Sequence, residues 1–170
     1  MHATTSDPAA AVLAARLLFR EARCLDERDW TGWLDLYTED AVYWVPAWLD
    51  ESHTGTDPDR EISQIYHDSR RGLEERVARL RSRKSVTTMP LPRTTHFVTN
   101  IETLPAAGNG LDVAACWMVQ VYDPRTMRHH ANFGRYRMTL TEYAGSLRIS
   151  RKVIVLNNDC IPASIDIHTI

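Results

Sequence analysis

Three side chains of this 170-residue chain could together move a proton: His96, Tyr43 and Asp40. A histidine with a partner carboxylate in an apolar pocket can abstract a proton beside a carbonyl. The plainer reading stands beside it, a strand histidine satisfied by a neighbouring hydroxyl. Metal chemistry finds less support, although the chain has seven histidines. His129 and His130 are adjacent in a stretch that reads as a strand, so they point to opposite faces and cannot grip one ion together. A facial triad of two histidines and a carboxylate would need His67, Asp68 or His96 brought in by folding. No Cys-x-His, Cys-x-x-His or Cys-x-x-Cys spacing is present to hold a Rieske cluster or zinc. Gly-x-Ser-x-Gly, Walker A and Gly-x-Gly-x-x-Gly patterns are also absent.

The elements that must position these residues follow from periodicity. Asp7 and Pro8 suit a helix start after a loose end at residues 1–7, and the helix should run to about Arg28. Val12, Ala15, Phe19 and Ala22, joined by Leu18 and Leu25, form its expected apolar stripe. Asp29 caps a second helix whose face carries Trp30, Trp33, Leu34 and Tyr37. Thr38, Glu39 and Asp40 break that period, and residues 41–45 read as a strand stopped by Pro46. Residues 47–60 read as a long loop, Ile62 to His67 as a short strand, and Ser69 as the cap of a charged helix reaching about Lys84. Leu73, Val77 and Leu80 are its apolar stripe, with Arg71, Glu75 and Arg79 spaced four apart on another face.

From Arg93 the period becomes two, and turns at residues 105–110, 123–125 and 144–146 divide an antiparallel meander of four strands. Thr95, Phe97, Thr99 and Ile101 are expected on one face of the first strand and His96, Val98 and Asn100 on the other. Helices followed by long hairpins imply an α+β fold in which a curved antiparallel sheet wraps the N-terminal helices. Trp30, Trp33 and Trp117 read as core. Trp48, in the long loop, reads as an exposed anchor for a protein partner, and Arg135 with Arg137 as a docking surface on one strand face.

Composition bounds the remainder. A chain of this length with 44% hydrophobic residues fits one domain over residues 1–170. A net charge of -2 gives no reason to expect nucleic acid. No apolar run approaches the roughly 18 residues of a membrane span, and the polar start is unlike a signal peptide, so a cytoplasmic protein is expected. Cys24, Cys116 and Cys160 are odd in number and far apart, which fits free thiols.

Arg20-Glu21-Ala22-Arg23-Cys24-Leu25-Asp26, Trp33-Leu34 and Tyr43-Trp44-Val45-Pro46-Ala47-Trp48 resemble the small (beta) subunit of Rieske aromatic-ring-hydroxylating dioxygenases. Asp57-Pro58, Glu61-Ile62-Ser63, Gly72-Leu73-Glu74-Glu75-Arg76-Val77, Arg93-Thr94-Thr95-His96 with Asn100, and Ile165-Asp166-Ile167-His168 with Ile170 resemble its benzoate-type branch. The resemblance implies a cone-shaped fold of the nuclear-transport-factor and scytalone-dehydratase type. It also implies a non-catalytic subunit without cofactor. The large (alpha) subunit would carry the Rieske two-iron two-sulfur cluster and the mononuclear iron, in a hexamer of three alpha and three beta chains. Such an enzyme adds both atoms of O2 to an aromatic carboxylate, giving a cis-dihydrodiol with electrons from NADH. The competing readings are a stand-alone dehydratase, isomerase or cyclase using His96, and a bare binding domain with an apolar ligand in the cone.

Overall fold

The computed structural model describes residues 8–82, 89–106, 110–160 and 164–170. The expected loose end with its Asp7 cap, the helix end at Lys84 and part of the first hairpin turn lie outside the described residues. The elements in order are α1 (Pro8–Glu27), α2 (Trp30–Leu34), β1 (Tyr37–Pro46), β2 (Ser63–His67), α3 (Arg70–Ser82), β3 (Arg93–Pro105), β4 (Gly110–Asp123), β5 (Arg128–Tyr143) and β6 (Ser146–Leu156). They form one six-stranded sheet in the order β2-β1-β6-β5-β4-β3.

Strands β3 to β6 are the expected antiparallel meander. β1 joins the open side of β6 in parallel, and β2 pairs antiparallel with β1, so β2 and β3 are the outer strands among the described residues. Register breaks in β1, β3 and β5 add local bend and twist. The sheet therefore curls until α1 touches both β3 and β6.

Three local expectations are corrected. The buried stripe of α1 is Ala14, Leu17, Leu18, Glu21, Cys24 and Leu25, whereas Val12 and Phe19 are 53% and 50% exposed. Leu17, Leu18, Cys24 and Leu25 set this face at helical spacing, and Glu21 falls within it, where it meets the buried Lys152. Helix α2 stops at Leu34 and Tyr37 already opens β1, since the Leu36 carbonyl accepts from the Ile149 amide at 2.8 Å and draws the chain into the sheet. Asp29 does cap α2, its carboxylate accepting from Gly32 N at 3.0 Å. In β3 the register breaks around Asn100, which sits at φ 53°, so Ile101 no longer shares a face with the exposed Thr95, Phe97 and Thr99.

The core is one cluster uniting α1, α2, α3 and the inner face of the sheet. Trp30, Trp33 and Trp117 are buried in it, Trp33 edge-on to Tyr37 at 5.0 Å and Trp117 stacked on Tyr136 at 5.3 Å. Residues 164–170 return across the cone and bury Ile167 and Ile170 completely. Arg76 Nη1 donates to Asp166 Oδ1 at 2.9 Å, and Asn132 Nδ2 donates to the Thr169 carbonyl at 2.9 Å, fastening this closing segment to α3 and β5.

Candidate functional site

His96 does have a carboxylate partner, but it is Asp26 at the end of α1 rather than Asp40. The His96 ring Nδ1 lies 2.6 Å from Asp26 Oδ1, its amide donates to Oδ2 at 2.9 Å, and Thr94 Oγ1 donates to Oδ1 at 3.0 Å. Burial pushes the Asp26 carboxyl up, but the hydrogen bonds from the His96 ring and amide and from Thr94 outweigh it and hold it below the ordinary carboxylate range. Nδ1 thus carries the proton shared with Asp26, and the ring is only 2% exposed with Nε2 facing inward.

Tyr43 and Asp40 are not gathered around it. Asp40 is exposed and, among the described residues, has no hydrogen-bond or ion-pair partner. Tyr43 is 1% exposed and belongs to a second interior group. There Lys152 Nζ donates to Glu21 Oε1 at 2.7 Å, the Tyr37 hydroxyl donates to the same oxygen at 2.5 Å, and the ammonium stands 4.0 Å over the Tyr136 ring. Burial raises the Tyr37, Tyr43 and Tyr136 phenols well above their usual value, and the nearby Glu21 charge adds to it. Burial pulls Lys152 down, opposed by Glu21. The group neutralises itself and presents no free base to a substrate.

Sequence reasoning missed Asp26, Glu21, Lys152, Asn132 and His168. Glu21 lies three or four residues from Leu17, Leu18, Cys24 and Leu25 on the helix, and Lys152 shares strand parity with Ile154 and Leu156. Both spacings signalled burial. Nothing local links Asp26 to His96, which are 70 residues apart.

Of the docking residues, Arg135 and Arg137 are exposed on β5 and have no ion-pair partner among the described residues. They lie beside a row of exposed apolar side chains, Phe97, Met118 and Phe133, which face one another across β3, β4 and β5. Trp48 is half-buried, not exposed: its indole donates to the Leu156 carbonyl at 2.6 Å and its backbone bridges to Thr54, so it pins the loop to the sheet. Leu49 beside it is 52% exposed. Among the described residues a groove of about 630 Å³ opens between α2 and α3 and one of about 360 Å³ on the sheet beside Arg137 and Arg151; neither contains His96. Among the described residues no three His, Cys, Asp or Glu side chains cluster as metal ligands, and no helix is long and apolar enough to cross a membrane. Cys24, Cys116 and Cys160 are free thiols.

Solved structures define the class. The chain matches a chain of naphthalene 1,2-dioxygenase with a TM-score of 0.79 at 16% identity, covering 98% of this chain and 88% of that one. It matches a hexachlorocyclohexane dehydrochlorinase with a TM-score of 0.61 at 12% identity, covering 88% and 86%. At such identities these likenesses establish the cone-shaped α+β fold alone. The family is shown by sequence: the model described as ring hydroxylating beta subunit matches residues 20–163. The 2-halobenzoate 1,2-dioxygenase small subunit of Burkholderia cepacia is 40% identical over 89% of this chain and 90% of its own. The toluate 1,2-dioxygenase beta subunit of Pseudomonas putida is 37% identical over 89% and 92%. The crystal structure of the benzoate 1,2-dioxygenase beta subunit from Burkholderia mallei matches with a TM-score of 0.78 at 35% identity, covering 98% and 99%. The chain belongs to the beta-subunit family of aromatic-ring-hydroxylating dioxygenases.

Proposed function

We propose that this chain is the non-catalytic beta subunit of a dioxygenase that converts a benzoate-like aromatic carboxylate to a cis-dihydrodiol with O2 and NADH-derived electrons. The observation that carries this reading is near full-length similarity to small subunits of halobenzoate and toluate dioxygenases. In this reading residues 1–170 are a single cytoplasmic domain without a cofactor of its own. It supports a large subunit that carries the Rieske cluster and the mononuclear iron, in a hexamer of three alpha and three beta chains. The self-neutralised Glu21–Lys152 pair and the buried closing segment fit a scaffold better than an enzyme with His96 as general base.

In this reading the large subunit docks on the outer sheet face. Arg135 and Arg137 are like charges two residues apart on one strand face with no ion-pair partner among the described residues, which a partner's acidic groups would satisfy, and the Phe97–Met118–Phe133 row supplies apolar area. Trp48 acts indirectly, by holding the loop that presents Leu49. Co-expression with the large subunit tests both statements. The unmodified chain is expected to co-purify in a larger assembly, and failure to do so sinks the subunit reading. The Arg135→Glu/Arg137→Glu variant should associate about tenfold more weakly or worse while folding normally. If it associates as well as the unmodified chain, the surface lies elsewhere.

A further inference from the structure

His96, Val119 and Asn132 face one another in a single row across β3, β4 and β5, with His96 and Asn132 at its two ends. The side chain of His96 is 2% exposed, and Asn132 and His168 are 1% and 7% exposed. Their polar atoms carry a specific imbalance. His96 Nε2, Asn132 Oδ1 and both ring nitrogens of His168 are buried without a protein partner among the described residues. Asn132 already donates its amide to the Thr169 carbonyl, which fixes its oxygen as the unsatisfied end and ties the residue next to His168 to that end of the row, while the electrostatic influence of His96 reaches His168 itself. We propose that His96, Asn132 and His168 enclose an interior site for ordered water, which latches residues 164–170 into the cone.

The chemistry selects water over other small guests. Asn132 Oδ1 only accepts. A neutral His168 ring brings one N–H donor and one acceptor, and burial does keep it neutral, pushing its pKa down to about 4. Among the described residues no three His, Cys, Asp or Glu side chains cluster to hold a metal ion, and an anion would meet the amide oxygen unfavourably. Water both donates and accepts, and buried water characteristically makes two to four such bonds where protein groups fall short of one another. Trp30 stands edge-on to His168 at 6.2 Å and Val119 is fully buried between His96 and Asn132 in the row, so the surroundings of these polar atoms are apolar. The consequence is that α1, through Asp26 and His96, reaches the closing segment without a direct hydrogen bond to it.

A crystal structure of the chain at about 1.5 Å, with the solvent peak sought within roughly 3.2 Å of these atoms, tests the site. A peak bridging at least two of the three residues is expected. A dry contact overturns the proposal, and an anomalous peak after zinc soaking replaces it with a metal site. The latch has its own readout in amide exchange at Thr169, whose N–H donates to the Asp166 carbonyl at 2.8 Å. His96→Phe should speed that exchange about tenfold, since one end of the bridge is lost. Thr94→Val removes a different hydrogen bond from Asp26 and should change it less than about twofold. Equal acceleration in both variants means that Asp26, and not a bridging water, holds the segment.

Discussion

Glu21 and Lys152 meet with side chains 3% and 1% exposed, so each relies on the other to offset the cost of leaving water. Removing one partner strands the other. Lys152→Met should therefore destabilise the fold by about 3–5 kcal/mol in denaturant titration. Lys152→Met combined with Glu21→Leu and Tyr37→Phe removes every polar partner at once and should recover most of that loss, because matched apolar replacement of a buried pair is often neutral. If the triple variant is no more stable than the single one, packing and not charge sets the cost. This interior was partly legible beforehand. Glu21 and Lys152 each interrupt an apolar face at the correct helical or strand spacing, and two opposite charges doing so point to each other. The Asp26–His96 bond was not legible, because strand β3 meets the end of α1 only after the sheet has curled.

At the scale of elements, turns and alternation located the four-strand meander from residue types alone, since Asp-Pro and Ala-Gly clusters punctuate period-two segments. The curvature was hidden in the register breaks, where residues such as Asn100 carry no distinctive local pattern, and the parallel join of β1 to β6 has no local signal at all. Gly134 shows what curvature demands. It stands in β5 opposite Leu156, where β6 ends, and a Cβ placed there would sit 1.9 Å from the Val155 carbonyl oxygen. Only a residue without a side chain lets the strands approach so closely. Gly134→Ala should cost about 1–3 kcal/mol or more, the range of overpacking in a rigid core. Thermal unfolding will register it, and a shift of less than a degree or two would mean that β6 can swing away freely.

For the whole molecule, the closing segment couples stability to pH. Burial is the main cause of the low His168 pKa of about 4, Asp166 opposes it, and His96 with Arg28 reinforces it. An unfolded histidine titrates near 6.5, so between these values the unfolded chain binds the extra proton. Stability is then fully present above about pH 6.5 and falls as pH drops toward 4, by roughly 3 kcal/mol if His168 acts alone. His67 and His130 are lowered too, burial first in each case, and push in the same direction. Asp26 adds its loss only below the ordinary carboxylate range, where its depressed pKa gives way. Denaturant midpoints measured from pH 7.5 to 4 should fall steeply for the unmodified chain. His168→Phe, which keeps an aromatic ring against Trp30 but cannot take a proton, should be less stable at pH 7.5 yet lose much less on acidification, so the two curves converge near pH 4. Parallel curves would assign the acid sensitivity to His67 on β2 and His130 on β5, and would leave the closing segment indifferent to pH.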